Sequence, residues 1–298
     1  MLLFVFLCTG GIVNGANPNI EFPADAQPKI PNQVIGKQNV TNVLQAIPGS
    51  VKELKTVTLK YQRDIIVASG TNQFSVVTNV DEPIVIDWKP SAVNIGRCQE
   101  RGYSLERCQN HIMLAEETRK NTLLVCGTNA DTPVCRYYNI TQETFGRRYV
   151  KDITKNANDM VIHGMIPSDP KIKFETFFTP DKTLYTAVGG TTPLVKKWFM
   201  DRNGPNLGPL STYPNAFPII GSVEIISLIN TESKMFVFFT ETVDGNLVSR
   251  VATICANDPG SKDKSDRRFT TFVKTKIDCP VTKDASFRFD LHLLLLTD

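Results

Sequence analysis

Residues 249–279 read SRVATICANDPGSKDKSDRRFTTFVKTKIDC. An apolar, β-branched run ends at Cys255, a charged tongue follows, and a second strand-like run leads to Cys279. Runs of Val, Ile, Thr and Phe punctuated by Asn, Asp, Pro and Gly are strand and turn signals. The 23 residues between the cysteines are far too many for a zinc knuckle, whose paired ligands stand two to four residues apart. Within the tongue, Lys262 to Arg268 (KDKSDRR) is interrupted by two aspartates, the composition of a solvated loop tip.

Outward from this stretch, its pattern recurs. Four apolar runs resemble one another: DIIVASGT from Asp64, NTLLVCGT from Asn121, KTLYTAVGG from Lys182 and SKMFVFFTE from Ser233. Each is followed by a second run: QFSVV from Gln73, VCRYYNI from Val134, PLVKKWF from Pro193 and LVSRVATIC from Leu247. A hairpin recurring every 50–60 residues or so means one small antiparallel sheet per repeat, and radial packing of such sheets gives a β-propeller. One hairpin buries too little to stand alone, so neighbouring blades must cover one another. A β-sandwich is the alternative this pattern admits. Three of the four first runs end at glycine, where a tight turn with positive φ is expected. Helical periodicity is nearly absent, the best candidate being Ser104 to Glu117, with Ser104 as cap.

With 298 residues, 41% of them apolar and 21% charged, the composition is that of a globular protein. A net charge of +3 gives no reason to expect nucleic acid as a partner. The N-terminal MLLFVFLCTGGIVNG has a short apolar run followed by small residues, with Val13 and Gly15 at the −3 and −1 positions of a signal-peptidase site. Residues 1–15 therefore read as a secretory signal, and the product as secreted. No later window has the roughly 18 apolar residues of a membrane span. Cys8 leaves with the signal. The six remaining are Cys98, Cys108, Cys126, Cys135, Cys255 and Cys279, the first four in two close pairs. In an oxidising compartment, loops of that size stabilise a fold by about 2–3 kcal/mol each when closed. Sequons at Asn39 and Asn139 suit a secreted glycoprotein.

At this point the quoted stretch resembles the semaphorin signature. In that family a strand ends in Cys-x-Asn-Asp-x-Gly and the next runs Thr-Thr-Phe-x-Lys to a second cysteine. Upstream, IDWKPS, CQERGYSLERCQNHI and LLVCGTNADTPVCRYYNI are similar to the family's first two disulfide loops, and MFVFFTE to the Phe-rich strand of its fourth blade. The resemblance runs from about residue 50 onward. It implies an all-β, partial seven-bladed propeller (a sema domain), with 16–50 as an N-terminal extension and 51–298 carrying about four blades and the start of a fifth. It pairs Cys98 with Cys108 and Cys126 with Cys135. In the family, the cysteines at the positions of Cys255 and Cys279 pair with partners further along. Those partners are not present in this chain, so both thiols are expected to lack them, and 16–298 expressed alone is expected to aggregate or dimerise through open blade edges.

The implied function is that of a secreted guidance ligand, binding a plexin-type receptor ectodomain in axon guidance and cell migration signalling. A homodimer of the full-length protein is a second implied association. The receptor contact falls around the third and fourth blades. Residue by residue it maps to Leu210, Ser211, Thr212, Tyr213, Pro214 and Asn215, with Tyr213 as the candidate aromatic anchor. Two departures stand out. The family's Cys-Pro ahead of Asp-Pro appears as Met165-Ile-Pro-Ser-Asp-Pro, and its Asp-Ser-x-Trp as Leu210-Ser-Thr-Tyr213. A receptor-side sema domain, and a secreted propeller hydrolase or glycan-binding protein, are the competing readings.

No catalytic residue, metal ligand or cofactor is expected. The chain lacks HExxH, GxSxG, P-loop and dinucleotide motifs, and His111, His163 and His292 fall in different repeats. His111 reads as structural, Trp198 as a core residue, and Asp201, Asp258 and Asp263 as turn or cap carboxylates.

Overall fold

The computed structural model describes residues 4–8, 11–12, 51–57, 65–77, 83–119, 121–142, 148–154, 160–161, 164–179, 183–190, 194–201, 204–205, 210–212, 222–231, 233–261, 267–277 and 292–295. Four antiparallel sheets follow one another along the chain, and the repeats fall one per sheet.

Blade 1 comprises β1 (Val51–Val57), β2 (Ile65–Gly70), β3 (Gln73–Val77) and β4 (Ile84–Asp87). A helix, α1 (Ala92–Glu100), leads into blade 2: β5 (Ile112–Arg119), β6 (Thr122–Gly127), β7 (Val134–Gln142) and β8 (Arg148–Asp152). The short β9 (Met160–Val161) also pairs with β7. Blade 3 has β10 (Phe174–Phe178), β11 (Thr183–Val188) and β12 (Leu194–Asp201). Its fourth position is split between β13 (Gly204–Pro205) and β14 (Leu210–Ser211), both paired with β12. Blade 4 comprises β15 (Val223–Asn230), β16 (Lys234–Val243), β17 (Asn246–Cys255) and β18 (Val273–Lys276). A separate three-stranded sheet joins the backbone of Phe4–Cys8 to Gly11–Ile12 and His292–Leu295.

Side-chain alternation explains how the sheets stack. On β6, Leu123 and Val125 pack toward blade 1 with Ile65, Val67, Phe74 and Trp88. Their neighbours Leu124 and Cys126 point the other way, toward Leu184 and Trp198 of blade 3. On β11, Tyr185 and Ala187 pack in turn on Val237, Phe239 and Ala252 of blade 4. A strand covered on both faces is buried along its whole length and reads as a mainly apolar run, as β2, β6 and β11 do. The first strands of successive blades lie against each other, β1 beside β5 and β10 beside β15, as strands converging on a propeller axis do.

Two local expectations are corrected. Ser104 does cap a turn, its hydroxyl accepting from Arg107 N, but Ile112 onward is strand β5 and no helix spans 104–117. The register of β5 slips between Ile112 and Leu114, a bulge that puts Ile112 and Ala115 on the same side of the sheet. Their spacing of three imitates a helix. The actual helix is α1, capped by Ser91, whose Oγ accepts from Asn94 N at 3.1 Å. The glycine reading holds at one of its three places: Gly190 has φ +104°, but in the first two runs positive φ falls on Asn72 and on Asn129, Ala130 and Asp131, not on Gly70 or Gly127. Gly127 is required for space, because a Cβ there would land on the buried Asn110 Oδ1.

Candidate protein-binding surface

The quoted stretch becomes a fastening between blades 3 and 4. After Cys255 the chain leaves β17 and crosses toward blade 3, where the Ala256 carbonyl accepts from Lys197 Nζ at 2.8 Å and Tyr185 Oη at 3.2 Å. On its return, Arg267 O accepts from Ser211 N at 2.9 Å and Phe269 N donates to Ser211 O at 3.1 Å. Ser211 thus bridges in parallel to Arg268, and the segment 267–269 covers the edge of blade 3 at β14. Covered edges do not recruit stray strands.

One carboxylate ties the crossing together. Asp258 is 2% exposed and accepts from Gly260 N at 2.8 Å, Thr270 N at 2.9 Å and Thr271 N at 2.8 Å. The hydroxyls of Thr270 and Thr271 donate to it as well. Burial pushes its carboxyl up. Hydrogen bonds from the Thr271 hydroxyl, the Gly260 and Thr271 amides and the Thr270 hydroxyl outweigh that, leaving it below the ordinary carboxylate range. The role goes beyond the turn or cap expected from sequence. Gly260, at φ +79°, lies directly under Leu210, and Phe269 and Phe272 enter the core shared by blades 3 and 4. The sequence Asp-x-Gly…Phe-Thr-Thr-Phe is therefore one knot with two apolar pegs.

Of the six residues mapped as receptor contacts, the structure describes three. Leu210 is buried in the seam between blades 3 and 4. Thr212 is buried, its Oγ1 accepting from Val195 N at 3.1 Å and its N–H donating to Val195 O at 3.0 Å. Ser211, half-buried, spends both backbone groups on the tongue. Leu210 and Thr212 thus face inward and set the direction of the chain, while Tyr213, Pro214 and Asn215 lie outside the described residues. Trp198 is a core residue, 4% exposed, with Nε1 donating to Thr186 Oγ1 at 3.0 Å.

Both expected cystines are present. Cys98–Cys108 joins the end of α1 to the following turn, and Cys126–Cys135 links directly opposed residues of β6 and β7. The buried Met165 lays its sulfur 3.8–3.9 Å from both sulfurs of the second cystine. Cys255 is a half-buried free thiol, and Cys279 lies outside the described residues, as does Asn39. Asn139 sits on β7 opposite Thr122 and Lys151.

Among the described residues, no group of three His, Cys, Asp or Glu side chains is placed to hold a metal. His111 is buried between the Thr71 hydroxyl, 3.2 Å from Nδ1, and the Glu106 carbonyl, 2.9 Å from Nε2. No helix among them is long and apolar enough to cross a membrane.

No family model matches the chain. It is similar to semaphorin-1A of Schistocerca americana, 27% identical over 215 residues, 69% of this chain and 27% of the relative. Semaphorin-6C of Homo sapiens is 26% identical over 259 residues, 78% of this chain and 25% of the relative. Among solved structures, it resembles extracellular domains 1–2 of Drosophila semaphorin 1b with TM-score 0.58 and 22% identity over 80% of this chain. It also resembles the structure of Drosophila plexin A in complex with semaphorin 1b, with TM-score 0.57 and 21% identity over 80% of this chain. Each likeness covers 45% of the solved chain, and the chain spans about a quarter of the length of the curated relatives. By sequence and by fold together, the chain is a homologue of the semaphorin sema domain, of which it spans a part.

Proposed function

We propose that this chain is the binding portion of an exported guidance ligand, engaging a plexin-type receptor through the surface where blades 3 and 4 meet. The observation that carries the reading is the fastening of 210–212 onto the blade 4 tongue. It anchors the segment leading to Tyr213, Pro214 and Asn215, and an anchored segment loses little entropy on docking. The fold likeness to the semaphorin 1b complex with plexin A supplies the class of partner. Export by residues 1–15 and N-glycans on Asn39 and Asn139 belong to the same reading.

The test is binding of a plexin-type ectodomain to the full-length protein and to its Tyr213→Ala variant. Truncating an aromatic hot spot costs about 2 kcal/mol or more, roughly thirtyfold in affinity. Affinity is expected to fall by that order with the melting temperature nearly unchanged. Retained affinity with a lowered melting temperature would instead make Tyr213 a packing residue and move the contact elsewhere.

A further inference from the structure

We infer that Asp258 is a positioning residue for Leu210 and Ser211, the head of the 210–215 stretch, acting on them through Gly260 and through residues 267–271. The inference rests on the reading of 210–215 as the receptor contact. Two routes lead from the one carboxylate, one to Ser211 and one to the adjacent Leu210.

The first route runs through the threonines. Asp258 takes the amides of Thr270 and Thr271 and both hydroxyls, which fixes the backbone at the end of the tongue. The residues just before it, Arg267 and Phe269, hold Ser211 by its N–H and its carbonyl. The second route runs through the glycine. Asp258 Oδ1 accepts from Gly260 N at 2.8 Å, and Gly260 lies under the Leu210 side chain. A change at Asp258 therefore loosens Leu210 from beneath and Ser211 along its backbone at once. The core between blades 2 and 3 does not depend on it: Leu124, Leu184 and Trp198 form a cluster of their own, without Leu210, Phe269 or Phe272.

A carboxylate is required by the donor count. Each oxygen takes at least two of the five donors, so the site needs acceptor capacity on both. An asparagine offers one acceptor oxygen and turns an N–H₂ toward groups that themselves donate. Asp258→Asn keeps the size and breaks about half of the knot.

The experiment compares the full-length protein with Asp258→Asn, with the milder Thr271→Val should the first fail to fold, and with Leu124→Ala, in the separate core between blades 2 and 3, as a purely packing variant. Amide exchange at Ser211 and Phe269 is read alongside affinity for a plexin-type ectodomain. The expected result is faster exchange at both amides in the knot variants, unchanged exchange at Tyr185 and Ala187, and roughly tenfold weaker binding. Leu124→Ala should lower the melting temperature and leave affinity alone. Wild-type exchange at Ser211 in Asp258→Asn would overturn the positioning role. Faster exchange at Ser211 with full affinity would uphold the mechanical link and overturn the assignment of 210–215 as the receptor contact. Equal loss of affinity in Leu124→Ala would show the effect to be general destabilisation, and the inference would fall.

Discussion

The Glu241 side chain has no exposed surface, and its carboxylate meets Arg250 Nε at 2.9 Å and Lys274 Nζ at 2.9 and 3.1 Å. Three strands of blade 4 thus converge on one charge. Removing one partner of a buried ionic group leaves the others desolvated, which costs more than the intact group contributes. Glu241→Gln preserves the volume and one acceptor, and is expected to cost about 2–3 kcal/mol, read as a lower denaturation midpoint. An unchanged midpoint would mean that Arg250 and Lys274 find equal partners elsewhere. Asp258 carries a different signature, because its carboxyl is held below the ordinary range. A depressed folded-state value means stabilisation that is complete above the ordinary aspartate range and is lost as pH falls through that range toward the folded value. The melting temperature gap between wild type and Asp258→Asn should therefore be widest near neutrality and shrink in acid. A gap that widens in acid would contradict the hydrogen-bonded carboxylate.

At the scale of elements, the legible and the illegible parts of the sequence divide on burial. Strands β2, β6 and β11 are covered on both faces, so their apolar runs announce themselves in any order of reading. Helix α1 buries only Cys98, carries Gly96 in its middle and shows almost no apolar stripe. Its one clear signal is Ser91 after Lys89-Pro90, and Ser91→Ala is expected to cost about 1 kcal/mol of local helix stability. Faster amide exchange in 92–95 alone would show it. The bulge in β5 misled because its spacing belongs to the backbone register, which no residue type encodes. The proposed receptor contact could be read only as a segment, 210–215, through family likeness. That Ser211 is held by Arg267 and Phe269 is a contact between distant residues, and nothing in either segment names the other.

Across the whole molecule, cohesion lies in the seams. Three apolar clusters sit between blades 1 and 2, 2 and 3, and 3 and 4, so each blade is stabilised chiefly by its neighbours. Leu124→Ala opens the seam between blades 2 and 3, and Val237→Ala the seam between blades 3 and 4. Each is expected to cost about 2–4 kcal/mol, and their effects to add within about 0.5 kcal/mol, since they share no cluster. Strong non-additivity in chemical denaturation would mean that strain passes through blade 3 from one seam to the other. The tongue also sets a timetable for synthesis. Blades 1 and 2 are made of consecutive strands and can assemble as the ribosome delivers them, but the partner of Ser211 arrives 56 residues later. At about 5–20 residues per second, the outer edge of blade 3 stays open for roughly 3–11 s on every nascent chain. A chaperone that captures this protein during translation has that interval in which to bind the open edge, and a ribosomal pause before Arg267 would lengthen it.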